Sequence, residues 1–280
     1  MLVRVPEPFS FDLTTERFRS FGRDPANLWV DGRLFRVLDG SEVGIAPAQG
    51  GVEVQPELPR EAARSVARSL GACFDLEDFH EFAESTDVLL ARLERELRGL
   101  RPALALDPFE ALVGSICAQQ VSLHAAFAIR ARLVERFGEP HAHAWAFPTR
   151  ERVASASVDE LRGLGFSTRK AQYVVALARA ELDLAALAHL PDDEVRLTLT
   201  SLPGVGEWTV DWFLARHLAR PDAWPAGDLA LRRAVGRFYF EGRDVTVDEV
   251  RSFGSRFAPH RNLAAHYLLV GLRAHTLSAG

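Results

Sequence analysis

The hydrophobic pattern of this 280-residue chain changes near Pro59. Up to about residue 55, β-branched and aromatic residues form short runs between turn residues, which is typical of strands. Beyond Pro59, segments such as "TDVLLARLERELRGL" repeat apolar residues at helical spacing. The change predicts a mainly α-helical protein with a small α+β N-terminal domain. We assign residues 1–100 to that β-rich domain and residues 101–280 to an all-α domain.

Turn and cap residues add local detail. In "LWVDGRLFRV", Asp31-Gly32 separates two strand-like runs and predicts a two-residue hairpin. "EVGIAPAQGGVEVQP" predicts a second hairpin with a looser turn. Asp107 is the expected N-cap of a helix with Pro108 at its first position. The apolar stretch that follows is too long for one helix, so we expect a break near Gln119–Ser122.

Composition favours a globular protein, with 48% hydrophobic and 25% charged residues. No apolar run approaches the length of a transmembrane span, and the first residues lack the apolar core of a signal peptide. These features lead us to expect a cytoplasmic protein. Cys73 and Cys117 are far apart, which favours two buried thiols over a disulfide framework, a zinc site or an iron–sulfur cluster.

Charge is distributed unevenly along the chain. The net charge of −5 argues against a protein that coats nucleic acid by charge alone. Residues 1–100 carry −6, residues 101–200 carry −1 and residues 201–280 carry +2. A polyanionic partner is therefore expected on the C-terminal two thirds.

The segment "LPGVG", Leu202–Gly206, is too rich in glycine to lie inside a helix, yet the helical segment "EWTVDWF" follows it directly. Leu202 can anchor such a turn, while Gly204 and Gly206 permit positive φ and leave amide groups unobstructed. Unobstructed amides at a helix N-terminus bind phosphate. Glycine serves an ordinary connection between helices equally well, so both interpretations stay open from spacing alone.

Asp228 stands between Gly227 and a helical run in "WPAGDLALRR". By itself this position predicts a plain N-cap. The preceding hairpin and the tryptophans Trp208 and Trp212 make a functional carboxylate the competing interpretation.

Several segments together resemble one family. "LPGVGEWTVDWF" with "WPAGDLALRR" is similar to the helix–hairpin–helix and aspartate signature of the DNA glycosylase superfamily. "DPFEALVGSICAQQVS", "FPTRERVASASVDELRGLGFSTRKAQYVVALA" and "FAPHRNLAAHYLL" resemble other helices of its AlkA (3-methyladenine DNA glycosylase II) family. The resemblance covers residues 103–275. It implies a helix–hairpin–helix glycosylase fold with two helical subdomains flanking an active-site cleft.

The resemblance also implies roles for individual residues. Asp228 corresponds to the catalytic carboxylate, which stabilises the oxocarbenium-like sugar or orients water. Base-pocket positions are Trp208, Trp212 and His260, where indole rings would stack on cationic alkylated bases; packing in the core is the alternative for both tryptophans. The hairpin that would bind the DNA backbone comprises Leu202, Gly204, Val205, Gly206 and Thr209. Gln119 and Gln120 occupy the position of the wedge that fills the gap left by a flipped base, although either could simply face solvent.

Related enzymes that also cleave the backbone use a lysine in the hairpin–helix segment to form a Schiff base. This chain has Trp208 there, and its single lysine, Lys170, precedes the hairpin. The resemblance therefore implies a monofunctional enzyme. No cofactor is expected, apart from a monovalent cation that hairpin carbonyls hold in relatives. His141 and His143 lack an evident third metal ligand, so we interpret them as loop residues.

The resemblance thus implies a monomeric DNA glycosylase that flips alkylated bases of the 3-methyladenine or 7-methylguanine type out of duplex DNA and hydrolyses their N-glycosidic bonds. One alternative keeps the fold but acts on an oxidised or deaminated base. Another is a helix–hairpin–helix DNA-binding protein without catalysis. Asp228 argues against the latter, because a carboxylate near phosphates repels them.

Overall fold

The computed structural model describes residues 1–278, and side chains as far as residue 274. The N-terminal segment forms a five-stranded antiparallel sheet in the order β1-β5-β4-β3-β2. Its strands are β1 (Leu2–Arg4), β2 (Leu28–Val30), β3 (Arg33–Leu38), β4 (Ser41–Ala48) and β5 (Gly51–Gln55).

Both predicted hairpins are present. Val30 pairs with Arg33 across a two-residue turn in which Asp31 has φ 47° and Gly32 has φ 77°. Positive φ at both central residues is the geometry that matches the twist of the flanking strands. The second hairpin joins β4 to β5.

The N-terminal segment also contains two short helices that the sequence pattern did not predict, α1 (Phe11–Thr15) and α2 (Arg17–Ser20). The Ser10 hydroxyl caps α1 by accepting from the amide of Leu13. Two threonines lower the helix propensity of α1, but burial of Phe11 stabilises it. Tertiary packing has outweighed local propensity here.

Helices form most of the remaining chain. They are α3 (Arg60–Ser69), α4 (Leu76–Thr86), α5 (Val88–Glu96), α6 (Pro108–Ala118), α7 (Leu123–Phe137), α8 (Arg150–Ala154), α9 (Val158–Gly163), α10 (Thr168–Arg179), α11 (Asp192–Thr200), α12 (Glu207–Arg216), α13 (Leu229–Tyr239), α14 (Val247–Gly254) and α15 (Arg261–Ser278). The mainly α architecture with a small N-terminal sheet is as the sequence predicts.

The predicted break between α6 and α7 is confirmed, since α6 ends at Ala118 and α7 begins at Leu123. The Asp107 carboxylate caps α6 by accepting from the amide of Glu110, and Pro108 occupies the first turn. The break places a turn, residues 119–122, between two helices that pack on each other, and residues 120–122 of it are exposed.

The described residues form two hydrophobic cores. The smaller one joins the sheet to α1 and α3, and its last member is Ala72. The larger one begins at Phe74 and includes residues of α4 and α5 together with the C-terminal helices. Packing therefore favours a division between Ala72 and Phe74, whereas our predicted boundary lies at residue 100.

A two-stranded ribbon, β6 (Glu139–Pro140) with β7 (Trp145–Ala146), interrupts the C-terminal helices, so this part is not all-α. His143 lies in its turn, where its ring stacks on Phe35 at 4.2 Å between centroids and its Nδ1 lies 2.8 Å from Glu42 Oε1. His143 thus attaches the ribbon to the sheet.

Candidate active site

The hairpin connects α11 to α12, with Val205 buried in the larger core and Leu202 partly buried against it. Gly204 has φ +78°, and a Cβ there would lie 2.1 Å from the ring of Tyr173. Glycine is therefore required at Gly204 both by backbone conformation and by space.

Gly206 does not use the positive φ that glycine permits, because its φ is −102°. It is the N-cap of α12, it is exposed, and a Cβ built on it meets no atom within 4 Å. Because it has no side chain to cap the helix, the first-turn amides of α12 remain available to a ligand. This is the geometry of an anion site.

Gln119 is tied to the hairpin and does not project from the turn as a wedge. Its Nε2 donates to the carbonyl oxygen of Gly204 at 2.8 Å and lies 3.3 Å from Thr209 Oγ1. The Thr209 side chain is only 1% exposed, so it positions Gln119 and does not face a DNA backbone.

Gln120, by contrast, is exposed and has φ +54°. Positive φ in a residue other than glycine is uncommon and places this side chain at the tip of the α6–α7 turn. Of the two glutamines predicted as the wedge, Gln120 is the one whose side chain is free to act as one.

Two contacts with neighbouring helices fix the loop that leads to Asp228. Trp224 donates from Nε1 to the carbonyl oxygen of Val250 on α14 at 2.9 Å. Asp222 accepts two hydrogen bonds of 2.6 Å from Arg261 at the start of α15. These bidentate contacts define the direction from which the chain enters α13.

The carboxylate of Asp228 accepts four hydrogen bonds. Oδ1 caps α13 by accepting from the amides of Ala230 at 2.9 Å and Leu231 at 3.0 Å. Oδ2 accepts from Nε1 of Trp208 and Nε1 of Trp212, each at 3.0 Å. Asp228 is therefore an N-cap, as its sequence position indicates, and its half-buried carboxylate is also oriented by both tryptophans.

Trp212 is unavailable as an open stacking surface. Only 6% of it is exposed, the guanidinium carbon of Arg216 lies 3.9 Å from its ring centre, and the His266 ring meets it edge-on at 5.7 Å. We predicted that Trp212 would stack on a base, whereas a cationic side chain already occupies one face of its ring. Trp208 is half-buried and remains the more accessible of the two.

His266 holds Arg216 in this position. Arg216 donates from Nε to His266 Nε2 at 3.2 Å, so that nitrogen must carry a lone pair. His266 Nδ1 then donates to the carbonyl oxygen of Asn262 at 2.9 Å. Burial, together with the charge of Arg216, lowers the pKa of His266 to about 3, which is consistent with a neutral ring.

Arg216 is a poorly compensated cation. Burial and the nearby charges of Arg17 and Arg273 lower its pKa well below the usual value, and the opposing effect comes from Asp228. Arg273 itself pairs with Glu16 at 3.0 Å. The vicinity of Asp228 therefore carries more positive than negative charge.

His260 does not join this group. Its ring lies 4.8 Å from that of Phe82 and 5.9 Å from that of Phe79, and its Nε2 lies 3.3 Å from Asp78 Oδ2. All three contacts are with α4. The segment "FAPHR", Phe257–Arg261, therefore packs on a helix that we had assigned to the N-terminal domain.

Lys170 makes a structural contact away from Asp228. It is buried, and its Nζ donates to the carbonyl oxygen of Cys117 near the end of α6 at 2.9 Å. Cys117 is buried as expected, whereas Cys73 is exposed. Within residues 1–278, no group of three or more His, Cys, Asp or Glu side chains could hold a metal ion, and no helix is long and apolar enough to cross a membrane.

Arg216 and His266 belong to this site although we did not predict either of them. The spacing of Trp212 and Arg216 was the available signal, because residues four apart on a helix share a face and arginine stacks well on indole. No comparable signal links His266, which reaches the site from α15.

Residues 113–259 match the family described as HhH-GPD superfamily base excision DNA repair protein. Putative DNA-3-methyladenine glycosylase YfjP of Bacillus subtilis is 29% identical over 64% of this chain and 64% of its own length. DNA-3-methyladenine glycosylase 2 of Escherichia coli is 30% identical over 62% of this chain and 61% of its own length.

Among solved structures, the 3-methyladenine DNA glycosylase of Archaeoglobus fulgidus superposes with a TM-score of 0.87 at 28% identity, over 96% of this chain and 98% of the other. An 8-oxoguanine glycosylase/lyase of Clostridium acetobutylicum in complex with DNA superposes with a TM-score of 0.81 at 19% identity, over 96% and 93% of the two chains. The latter shares the fold alone.

The matches to the curated relatives span less than two thirds of those proteins' length. The family match, by contrast, covers more than half of this chain and includes the hairpin, both tryptophans and Asp228. The chain belongs to the HhH-GPD superfamily of base excision DNA repair proteins.

Proposed function

We propose that this protein is a monofunctional DNA glycosylase that removes alkylated bases of the 3-methyladenine or 7-methylguanine type from duplex DNA. The observation that carries the proposal is the fourfold hydrogen bonding of Asp228 beside a glycine hairpin. A surface N-cap needs only its backbone donors. The two indole donors hold the carboxylate in one orientation, which is what a reacting group requires.

Asp228 acts on the sugar of the flipped nucleotide. Cleavage of the N-glycosidic bond builds positive charge on the deoxyribose, and an ionised carboxylate stabilises that charge or orients the attacking water. A cationic alkylated base leaves as a neutral molecule, so the step needs no acid to protonate it. The target must first leave the stack, which is easiest for a damaged base.

Monofunctional chemistry follows from the position of the one lysine. Lys170 is buried against the end of α6 and its amine donates to a backbone carbonyl. Trp208, at the position where lyases of this superfamily carry lysine, has no amine. A Schiff base with the sugar therefore has no side-chain nucleophile in the hairpin–helix segment.

DNA binding is assigned to the hairpin and the α6–α7 turn. The exposed first-turn amides of α12 bind a backbone phosphate, because Gly206 permits close approach. Gln120 enters the gap left by the flipped base, where its amide can also hydrogen-bond the unpaired partner base. The proposal also includes a monovalent cation held by hairpin carbonyls, a monomeric state and a cytoplasmic location.

The test is a panel of duplexes, each with one 3-methyladenine, 7-methylguanine, 8-oxoguanine or uracil. We expect release of the methylated bases, with strand cleavage only after alkali is added. Cleavage without alkali would contradict monofunctional chemistry, and release of 8-oxoguanine or uracil alone would contradict the alkylated substrate.

Asp228→Asn separates the role of the charge from that of the helix cap, because asparagine caps helices about as well as aspartate. The fold should survive while base release falls by several orders of magnitude. Asp248→Asn removes a charge from an exposed position on α14 and serves as the matched control. Full activity of Asp228→Asn would exclude the mechanism, and binding without release by the unmodified protein would identify a non-catalytic DNA-binding protein.

A further inference from the structure

Glu207 places a negative charge at the helix end where the hairpin is proposed to bind phosphate. It is the first residue of α12, directly after Gly206, and 63% of its side chain is exposed. An acidic residue in a first helical turn stabilises the helix, but it also repels an anion that approaches the same helix end. The proposed chemistry has no role for this carboxylate.

No basic residue of the hairpin offsets the charge of Glu207, because the sequence contains no Lys, Arg or His between Arg196 and Arg216. The compensating cation comes from α14, where Arg251 donates from Nη2 to Glu207 Oε1 at 2.8 Å. Arg251 also donates from Nη1 to Asp248 Oδ1 at 2.7 Å. Two carboxylates thus share one guanidinium, and the group carries a net charge of −1.

The charges of Glu207 and Arg251 both reach the first turns of α12. Asp211 lies one turn beyond Glu207, and burial raises its pKa to about 6 against the opposing effect of Arg196. Glu207 raises the pKa of Asp211 further, whereas Arg251 lowers it. The two partners of one salt bridge therefore have opposite electrostatic effects at the helix end that faces the hairpin.

We propose that Glu207 is an affinity-setting residue, which weakens binding of the DNA backbone at the hairpin and so speeds release of the DNA product. After base excision, the duplex with an abasic site keeps the same backbone contacts as the substrate. A fixed repulsion of phosphate lowers the affinity for both, because phosphate contacts do not depend on the base. Arg251 limits this repulsion. The inference rests on the proposed glycosylase activity and on the phosphate contact at the hairpin.

The experiment compares Glu207→Gln with Arg251→Gln, which break the same exposed salt bridge from its two sides. An exposed bridge contributes little to stability, so both variants should fold. In fluorescence anisotropy, Glu207→Gln should lower the Kd for damaged and undamaged duplexes alike by about three- to tenfold, and Arg251→Gln should raise it by a similar factor. Glu194→Gln removes an acidic residue from the first turn of α11, which follows no glycine hairpin, and is the control.

Turnover on a duplex with 7-methylguanine measures product release. For Glu207→Gln, the ratio of the multiple-turnover kcat to the single-turnover rate should fall by about threefold or more, because tighter binding slows dissociation of the abasic product. For Glu194→Gln the ratio should match that of the unmodified protein. An unchanged ratio in Glu207→Gln would overturn the role in product release.

The direction of the two Kd shifts decides between an electrostatic and a structural role. Shifts in the same direction would overturn the inference, because loss of a structural bridge has the same effect from either side. An unchanged Kd in Glu207→Gln would overturn it too, while base release by the unmodified protein would leave the proposed function intact. Release of no base from any duplex would contradict the proposed function and the inference together.

Discussion

Trp208 and Asp228, twenty residues apart in the chain, are joined by a hydrogen bond of 3.0 Å from the indole Nε1 to the carboxylate Oδ2. Trp212 donates to the same oxygen from one helical turn further along α12. The four-residue spacing of the tryptophans serves to bring two N–H donors to one acceptor. Their contribution to the site is therefore polar as well as apolar.

Replacing either tryptophan by phenylalanine keeps an aromatic ring but removes one donor. We expect Trp208→Phe and Trp212→Phe each to lower single-turnover base release by about tenfold or more, since hydrogen bonds to charged groups contribute about 1.5–3 kcal/mol. Trp29→Phe, in the N-terminal sheet, is the matched control. Unchanged rates in both site variants would show that the indole N–H groups do not orient Asp228.

The two hairpin glycines should respond differently to alanine. At Gly204, positive φ and the clash with Tyr173 predict a loss of about 1–3 kcal/mol in the free energy of unfolding. At Gly206, where a Cβ meets nothing, the loss should stay below about 1 kcal/mol. Urea unfolding of both variants measures the difference.

Gly206→Ala then isolates DNA binding from stability. An added methyl group at the helix N-terminus obstructs phosphate approach, so the Kd should rise by a similar factor for undamaged and damaged duplexes. Fluorescence anisotropy with several labelled duplexes provides the measurement. A change confined to one lesion would refute the assignment of Gly206 to the backbone contact.

Local chemistry explains which features could be predicted from the sequence. The Asp31-Gly32 hairpin, the Asp107 cap and the break before Leu123 each depend on residues within a few positions of one another. Asp228 was identifiable as a cap for the same reason. Its interpretation as a reacting carboxylate needed the neighbouring hairpin and the resemblance to a family.

Contacts between distant segments could not be predicted in this way. Gln119 reaches Gly204 across 85 residues, and Arg216 reaches His266 across 50. Helical spacing places Trp212 and Arg216 on one face of α12 but does not indicate that His266 of α15 holds Arg216 there. The α1 helix was missed for a related reason, because burial of Phe11 stabilises a segment with weak helix propensity.

The N-terminal segment is joined to the helical core by a buried ionic cluster. Arg130 on α7 donates to Asp24 at 3.2 Å and to Glu110 at 2.7 Å, while Asn27 donates to both carboxylates. Burial alone would raise the pKa of Asp24, but the charge of Arg130 together with the hydrogen bonds to the carboxylate outweighs it and lowers that pKa. Arg130→Met would leave two buried carboxylates without the cation that hydrogen-bonds them.

We expect Arg130→Met to lower the free energy of unfolding by about 3–5 kcal/mol, as removal of one partner from a buried ion pair does. Arg136 lies on the same helix as Arg130 and forms an exposed pair with Glu160 of α9. Arg136→Met should therefore lower the free energy of unfolding by less than about 1 kcal/mol. Urea unfolding monitored by circular dichroism compares the two. Equal losses would mean that the cluster adds nothing beyond a surface pair.

Two buried groups, Asp211 and His266, should change the free energy of unfolding with pH in opposite directions. Burial raises the pKa of Asp211, which lies beside Arg196, to about 6. Between pH 4 and 6 the folded protein therefore binds more protons at Asp211 than the unfolded chain does. The free energy of unfolding consequently falls as pH rises through this range. The lowered pKa of His266 has the reverse effect, because the unfolded chain takes up a proton near pH 6.5 and the folded protein only near pH 3.

Asp211→Asn should therefore make stability rise more steeply with pH than in the unmodified protein between pH 4 and 6, and His266→Gln should make it rise less steeply. Each slope should change by up to about 1.4 kcal/mol per pH unit, the limit for one proton. Urea unfolding at half-unit intervals measures both slopes, and the remaining carboxylates cancel because they are common to all three proteins. Slopes that shift in the same direction would contradict the assignment of a neutral, acceptor-bearing His266 that holds Arg216 on Trp212.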